Sequence, residues 1–504
     1  MKKTFFLLGI LLNFFLLGYS QVNISVGDVH PALKADYRLS IKKNDELLLV
    51  YKKKESCIIQ KFDAKLNLNT QNVYEGFPRG FEISLATEFN GKNLLFYYYF
   101  SEENKKEKIV CYREIDFSKG QLIGEEHKLS QGPYLYYFIE VINGETLRIN
   151  DDLYDKNLNL ISSGRSKKIP TEQKYTILNS TCYSRQGYKY ELEKLESSSK
   201  DNKKGDSFEL LRYDLRSGLV GKTTINLEKK NSNSVGVRVG IDGSVFVAGF
   251  YYQTEEDAKK DDAKGIFSIK VDKDGKINKQ SYFDIPQEVL NQNGGRRVGK
   301  NVEKFPGTDN LALAEFIAED DGSLTIVGEY KYRMMQMTER LSSPNQNPRN
   351  ASQKSTSMSH SFHFDAIIVS KIDSSGKLSW VRKIPKSQYG AVSLGGFKLT
   401  TGPGYKYFLY FDDERNLELS SNNIPYDYNS DLYDGSFIGY KISDISGDIS
   451  KMKIFNYKDV GGLEIKQFDI WSIIKSDYNV FYLKAFEKGK EDILIKVELE
   501  HPKK

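Results

Sequence analysis

The stretch FDAIIVSKIDSSGKLSWVRKIP, Phe364 to Pro385, sets two apolar-rich runs around a polar break. AIIVSKI and LSWVRKI are of strand length. DSSGK between them supplies side-chain acceptors and a glycine for positive φ. The pattern predicts strand, tight turn, strand. Weaker copies recur, in which a basic residue, an apolar residue and an acid close a strand: KFD at Lys61, RYD at Arg212, KVD at Lys270 and KVE at Lys496. KIS at Lys441, EID at Glu114 and LYD at Leu153 are looser members. Self-similarity with a period near fifty marks a repeat architecture rather than a string of unlike domains.

Each unit parses into four short segments. The fifth reads SVGVRVGI, SVFVAGFYY, GIFSIKVD and KINKQSYFDI, joined by turns such as IDGS and KDGK. Four antiparallel strands per unit match the blade of a β-propeller. Strands apolar on both faces, as in AIIVSKI, suit a sheet pressed between two neighbours. We read eight blades, over about 37–75, 78–130, 134–170, 173–228, 233–285, 311–385, 392–456 and 464–499. The third is short and poorly marked, so seven is the alternative. The last unit has only three strands, while a spare apolar segment, VNISV (Val22 to Val26), precedes the first. That segment is expected to supply the missing outer strand and close the ring.

Composition supports an all-β chain: 33 Tyr and 29 Phe against 2 Trp, in runs such as LLFYYYF that suit pleated strands. The repeat resembles that of secreted bacterial β-propeller proteins, in which an acid, a turn with Gly and then Trp recur. Here KIDSSGKLSW carries the likeness, and Trp380 alone fills the Trp position. The resemblance implies a propeller and export; it implies no particular activity, because such folds host many.

Residues 1–20 read as a secretory signal peptide: Lys2 and Lys3, an apolar run to Leu17, then Gly18 and Ser20 before Gln21. The expected product is exported, periplasmic or extracellular. It is not a lipoprotein, since no Cys stands near position 21, and it has no later membrane segment. Removing Lys2 and Lys3 takes the net charge from +5 to +3, which gives no electrostatic reason to expect nucleic acid. Cys57, Cys111 and Cys182 are too few for a disulfide framework. A bridge between Cys57 and Cys111 is conceivable, three buried inert thiols the simpler reading.

Function is sought on one face. Loops joining first to second and third to fourth strands are all tight, whereas second-to-third and inter-blade connections carry every large insertion: 196–206, 253–264, 287–310, 333–363 and 412–433. Long loops on a rigid scaffold are where binding residues gather. On them, Arg296, Arg297, Tyr426, Tyr428 and Tyr433 are the candidate partner contacts, for a protein or a glycan; tacking the loop to its blade is the competing role for each Tyr. Met334, Met335, Met337, Met358, His360 and His363 fall in 333–363. Thioethers and imidazoles suit copper or another soft metal, but a flexible polar loop accounts for the same residues, and no metal or cofactor is expected. KVDKDGK at Lys270 holds half of a calcium loop and reads as a turn. Asp412 and Asp413 are adjacent, hence not an evident acid/base couple. A binding scaffold is the expected function, and a glycan hydrolase or lyase at the central pore the alternative.

Overall fold

The computed structural model describes residues 22–499 except 34–35, 133–138, 143–144, 151, 164–174, 185, 196–204, 215–216, 254–262, 295–301, 305–310, 342–353, 391–394, 421–422, 431–434, 469–472, 478 and 488–490. It is a β-propeller of eight sheets, six of them four-stranded antiparallel meanders and two, the sixth and eighth, enlarged by strands from elsewhere in the chain. The third blade, Ile139–Ile142, Thr146–Ile149, Asp152–Tyr154 and Leu160–Ser163, has strands of only three or four residues. That brevity is why its pattern is faint. The eight-blade count holds.

Closure follows the expected plan. Val22–Val26 pairs antiparallel with Glu491–Leu499 as the outer strand of the eighth blade, from Val22 opposite Leu499 to Val26 opposite Ile495. The Gly27 N–H continues the ladder by donating to Leu494 O at 2.9 Å. On the other side of the joint, Tyr482 and Leu494 of the eighth blade pack with Leu47, Leu49 and Tyr51 of the first. First and last blades are thus joined like any other neighbours.

Blades meet through both faces of their central strands, so these strands carry no polar stripe. Val245–Tyr252 is buried at every position. Apolar clusters join blades one to two, two to three, four to five, five to six, and six through eight. Between blades three and four, the Arg148 guanidinium stacks on the Tyr183 ring at 3.7 Å. Cys57 and Cys111 both lie in the core between blades one and two. All three cysteines are free and buried; the conceivable Cys57–Cys111 bridge is not formed.

The turn chemistry of the repeat is now explained. The carboxylate Oδ1 of Asp63, Asp155, Asp272 and Asp373 accepts the N–H groups near it across the turn; Asp272 takes those of Asp274 and Lys276, both at 2.9 Å. In KVDKDGK the acid is therefore a turn cap. The basic residue of the repeat ties its strand to the first-to-second turn of the same blade, as in Lys61–Glu46 at 3.1 Å and Lys270–Asp242 at 3.1 Å. Outer strands then grip the third-to-fourth turn of the following blade. Thr223 donates to Gly275 O at 2.8 Å, and Arg382 donates to Gly447 O at 2.9 Å.

The segment 333–363 differs from expectation. It is not a loop throughout: Leu324–Leu341 and Lys354–Ile372 run as one long hairpin in continuous register from Lys331 opposite Phe364 to Leu341 opposite Lys354. The middle strands of other blades, the short third blade aside, run seven to nine residues. The excess of roughly nine residues on each strand, at about 3.3 Å per residue, makes a ribbon of about 30 Å. Its polar, Met-rich sequence hid the strands because a two-stranded ribbon has no core face to write an apolar alternation.

Candidate functional site

On the long-loop face, insertions from blades five to seven interlock at the boundary of blades six and seven. The fifth blade leads into a short helix, Gln287–Asn291. Lys383, on the outer strand of blade six, donates to the helix-end carbonyls Leu290 O at 3.0 Å and Gln292 O at 2.6 Å. Burial pulls the Lys383 ammonium down to about 8, against the attraction of Asp365. Just beyond the helix, Asn293 holds φ of 55° and donates from Nδ2 to Ser420 O at 3.1 Å and Asn423 O at 3.0 Å. The 412–433 insertion of blade seven is thereby pinned to the connection between blades five and six.

That insertion is built around Asn416. Its Nδ2 donates to Asp412 Oδ1 at 2.8 Å and to Tyr426 O at 2.9 Å, and its Oδ1 accepts the Tyr426 N–H at 2.8 Å. Asp413 caps the turn Glu414–Glu418 and receives the Arg415 guanidinium at 2.9 and 2.5 Å. So held, Arg415 lies over the Tyr426 ring at 3.9 Å. Further along, Tyr428–Asn429 adds as a short parallel strand to Gln388 and Tyr389 at the outer edge of blade six.

The outcome for the sequence candidates is uneven. Tyr426 is 46% exposed, and Ile424, two residues before it in the chain, is 62% exposed. Tyr428 is 3% exposed and packs where a Cβ on Gly435 would fall; it tacks the loop down and presents no ring to a partner, the competing role named above. Arg296, Arg297 and Tyr433 lie outside the described residues. His363 is buried in a stack, 4.9 Å from Tyr332 and 5.8 Å from Tyr389, with its Nε2 3.0 Å from Ser361 Oγ. Met334 pairs in the ladder with Val302 and Ser361. Met335, Met337, Met358 and His360 lie further along the ribbon. Sequence reasoning missed Asn293, Lys383 and Asn416, whose partners are mostly backbone groups remote in sequence.

Beneath the platform runs a buried polar layer. Tyr332 donates to Asp365 at 2.6 Å, Ser387 to Asp427 at 2.7 Å, and Lys386 to Phe364 O at 2.8 Å and Gln388 Oε1 at 2.9 Å. Asp412 and Asp413, adjacent in the chain, part company. Burial raises Asp412 to about 8, against the hydrogen bonds from Asn416 and the Asp413 N–H, whereas the Arg415 hydrogen bond holds Asp413 low. Asp365, Asp427 and Asp413 are committed to partners in their own chain, and Asp412 accepts through Oδ1 while its buried Oδ2 has no hydrogen-bond partner among the described residues. On the opposite face, a cleft between blades five and six, lined by Lys270, Lys279, Gly322, Asp373 and Gly376, measures about 30 Å³. That is room for about one water.

No family model matches the chain, and no curated protein matches it. Among solved structures, the β-propeller domain of the Trilobed protease from Pyrococcus furiosus is 11% identical with a TM-score of 0.34, over 84% of this chain and 99% of that one. The polysaccharide lyase Uly1 is 8% identical with a TM-score of 0.29, over 92% and 89%. Prolyl oligopeptidase B from Galerina marginata is 9% identical with a TM-score of 0.33, over 90% of this chain and 55% of that one. At such values these likenesses carry no functional argument. The propeller assignment stands on the sheet topology itself.

Proposed function

We infer that the protein is an exported binding propeller that engages a protein or glycan partner at the platform between blades six and seven. One observation carries this reading: insertions from separate blades are locked together by buried side chains, and the locked loop exposes an aromatic ring with a guanidinium stacked on it and an aliphatic chain two residues away in sequence. Asn293, Lys383 and Asn416 supply the lock; Tyr426, Ile424 and Arg415 form the surface. Tyr and Arg in a pre-organised setting are the residue types that anchor interfaces, and a Tyr face also suits a sugar ring. A rigid mount lowers the ordering cost of binding. The signal-peptide pattern of residues 1–20 is the support for export. The alternative, a glycan hydrolase or lyase at the central pore, would need carboxylates other than those under the platform, which are held by Tyr332, Ser387, Asn416 and Arg415.

The test compares the wild-type chain with the variant Arg415→Ala/Ile424→Ser/Tyr426→Ser on a glycan array and against solubilised envelope proteins. A species retained by the wild type and bound at least tenfold more weakly by the variant, with an unchanged melting curve, is the expected result. Equal retention by both overturns the assignment to this platform.

A further inference from the structure

Asp412 ends the second strand of blade seven, Tyr405–Asp412, where the chain leaves for the insertion that carries the platform. Its side chain is wholly buried. Two donors reach it, and both reach the same oxygen: Asn416 Nδ2 at 2.8 Å and the Asp413 N–H at 2.9 Å converge on Oδ1. Oδ2 is sealed from solvent and has no hydrogen-bond partner among the described residues. A carboxylate spreads its charge over two equivalent oxygens, and both need donors. A carboxylic acid has one accepting oxygen and one that carries the proton. The one-sided arrangement fits the acid, because an unmatched hydroxyl costs far less than an unmatched buried charge.

The cover over this group is the lock of the loop itself. Asn416 divides its amide among Asp412, Tyr426 O at 2.9 Å and the Tyr426 N–H at 2.8 Å. On another side the packing is so close that a Cβ on Gly435 would come 2.6 Å from Asp412 O and 2.4 Å from the Tyr428 ring. Of the charged groups around the carboxyl, Lys386 from the outer strand of blade six favours its ionisation and Asp413 opposes it. Lys386 is already engaged by Glu329 at 2.7 Å. Ser436, directly opposite Asp412 in the ladder, donates instead to Glu414 at 3.2 Å, which Lys453 holds at 2.5 Å. Both lysines thus have carboxylate partners of their own. Tyr410 on the same strand and Tyr440 on the next are phenols that burial keeps neutral.

We propose that Asp412 is a proton-controlled latch: with its proton it anchors Asn416, and through Asn416 it holds Tyr426, whereas loss of the proton parts these contacts and lets water reach Oδ2. The direction with pH follows from linkage. Burial raises the carboxyl to about 8, and an opened, hydrated site returns it to the ordinary carboxylate range. The closed form keeps a proton that the opened form releases. Opening therefore becomes easier as pH rises through that window, by up to about tenfold per pH unit. The latch concerns the conformation of the loop and does not rest on the partner-binding reading of the platform.

The experiment is hydrogen exchange by mass spectrometry on the full chain between pH 6 and pH 8, following the Tyr426 amide. Hydroxide catalysis alone speeds exchange of a protected amide about tenfold per pH unit. With the latch, the Tyr426 amide of the wild type should gain up to about a hundredfold per unit, and that of Asp412→Asn about tenfold. It should also exchange well ahead of the Val247 amide in the core of blade five, which marks the opening as local. A tenfold slope in the wild type, the same steep slope in the variant, or equal rates at Tyr426 and Val247 overturns the latch. Infrared spectroscopy of the wild type avoids any dependence on variant folding. The stretch of a protonated carboxyl should be present at pH 6 and fade as pH passes about 8. A spectrum without that band at pH 6, or with it unchanged at pH 10, is equally incompatible with the proposal.

Discussion

Lys386 and Glu329 meet in a 2.7 Å ion pair with the lysine wholly buried and the glutamate 1% exposed. They come from the outer and second strands of blade six, where the ribbon leaves the blade, and Lys331 joins Glu329 at 3.0 Å. Burial disfavours the charged Glu329, but Lys386 and Lys331 outweigh it and hold the carboxylate low. Burial likewise lowers Lys386, offset in part by Glu329. Breaking such a pair from one side strands a buried charge. Lys386→Met should cost about 3–5 kcal/mol, whereas Glu329→Gln/Lys386→Met should recover more than half of that. Urea denaturation of both variants and of Glu329→Gln measures the coupling; additive losses would show that the two residues do not act as a pair.

Asp412 makes stability depend on pH with an unusual sign. Its carboxyl moves from an ordinary 3.8 to about 8 on burial. Between those values the folded chain keeps a proton that the unfolded chain has released. The residue's contribution therefore worsens as pH rises through that window, by up to about 1.4 kcal/mol per pH unit. Asp412→Asn is isosteric and cannot ionise. Its melting temperature relative to wild type should rise steadily from pH 5 to pH 8. A difference that stays flat with pH would mean that Asp412 is already ionised in the fold.

Much of this molecule is legible in its sequence. Strands such as VFVAGFYY read clearly because both faces are pressed between blades, and the closing strand could be inferred from a last unit one strand short. The platform was legible only as a set of long connections. What locks it is not written locally: Asn293 reaches carbonyls 127 and 130 residues away, and Lys383 reaches one 91 residues away. The fates of Asp412 and Asp413 were equally hidden, since neighbours in sequence differ only through what the fold stacks over them. The ribbon escaped notice because strands outside a core need no apolar period.

The thiols offer a direct check on the inter-blade cores. Burial pushes Cys57, Cys111 and Cys182 each up to about 12, so almost none is thiolate at pH 8. Native protein should leave a thiol reagent unreacted for hours, and three equivalents should react at once in guanidinium. Fewer than three in the denatured, unreduced protein would reveal a bridge that this packing does not contain.

Trp380 shows how one blade holds the next. Its ring covers the turn at Gly447, where φ is 69° and an added Cβ would come 2.7 Å from the indole. The indole N–H donates to Asp444 O at 3.3 Å. Gly447→Ala combines left-handed strain with that clash and should cost roughly 1–3 kcal/mol. Trp380→Ala should cost about 3–5 kcal/mol, and the double variant less than the sum, because without the indole the alanine methyl has room. Strict additivity in thermal melts would separate the two residues.

The ring depends on its N-terminal strand to a degree that can be measured. Val22, Ile24 and Val26 are half-buried against the core of blades six to eight, while Asn23 and Ser25 are exposed. With about 25 cal/mol per Å² of apolar surface removed from water, three half-buried side chains contribute roughly 3 kcal/mol. Their loss has a second effect: the edge of Glu491–Leu499 is left unpaired, and an open edge recruits other chains. A chain lacking residues 22–27 should therefore melt several degrees lower and associate as its concentration rises. The peptide VNISVG added in excess should reverse both changes by occupying the vacant edge. Should the truncated chain keep its melting temperature and stay monodisperse, the eighth blade would be stable with three strands and the terminal strand would be dispensable to closure.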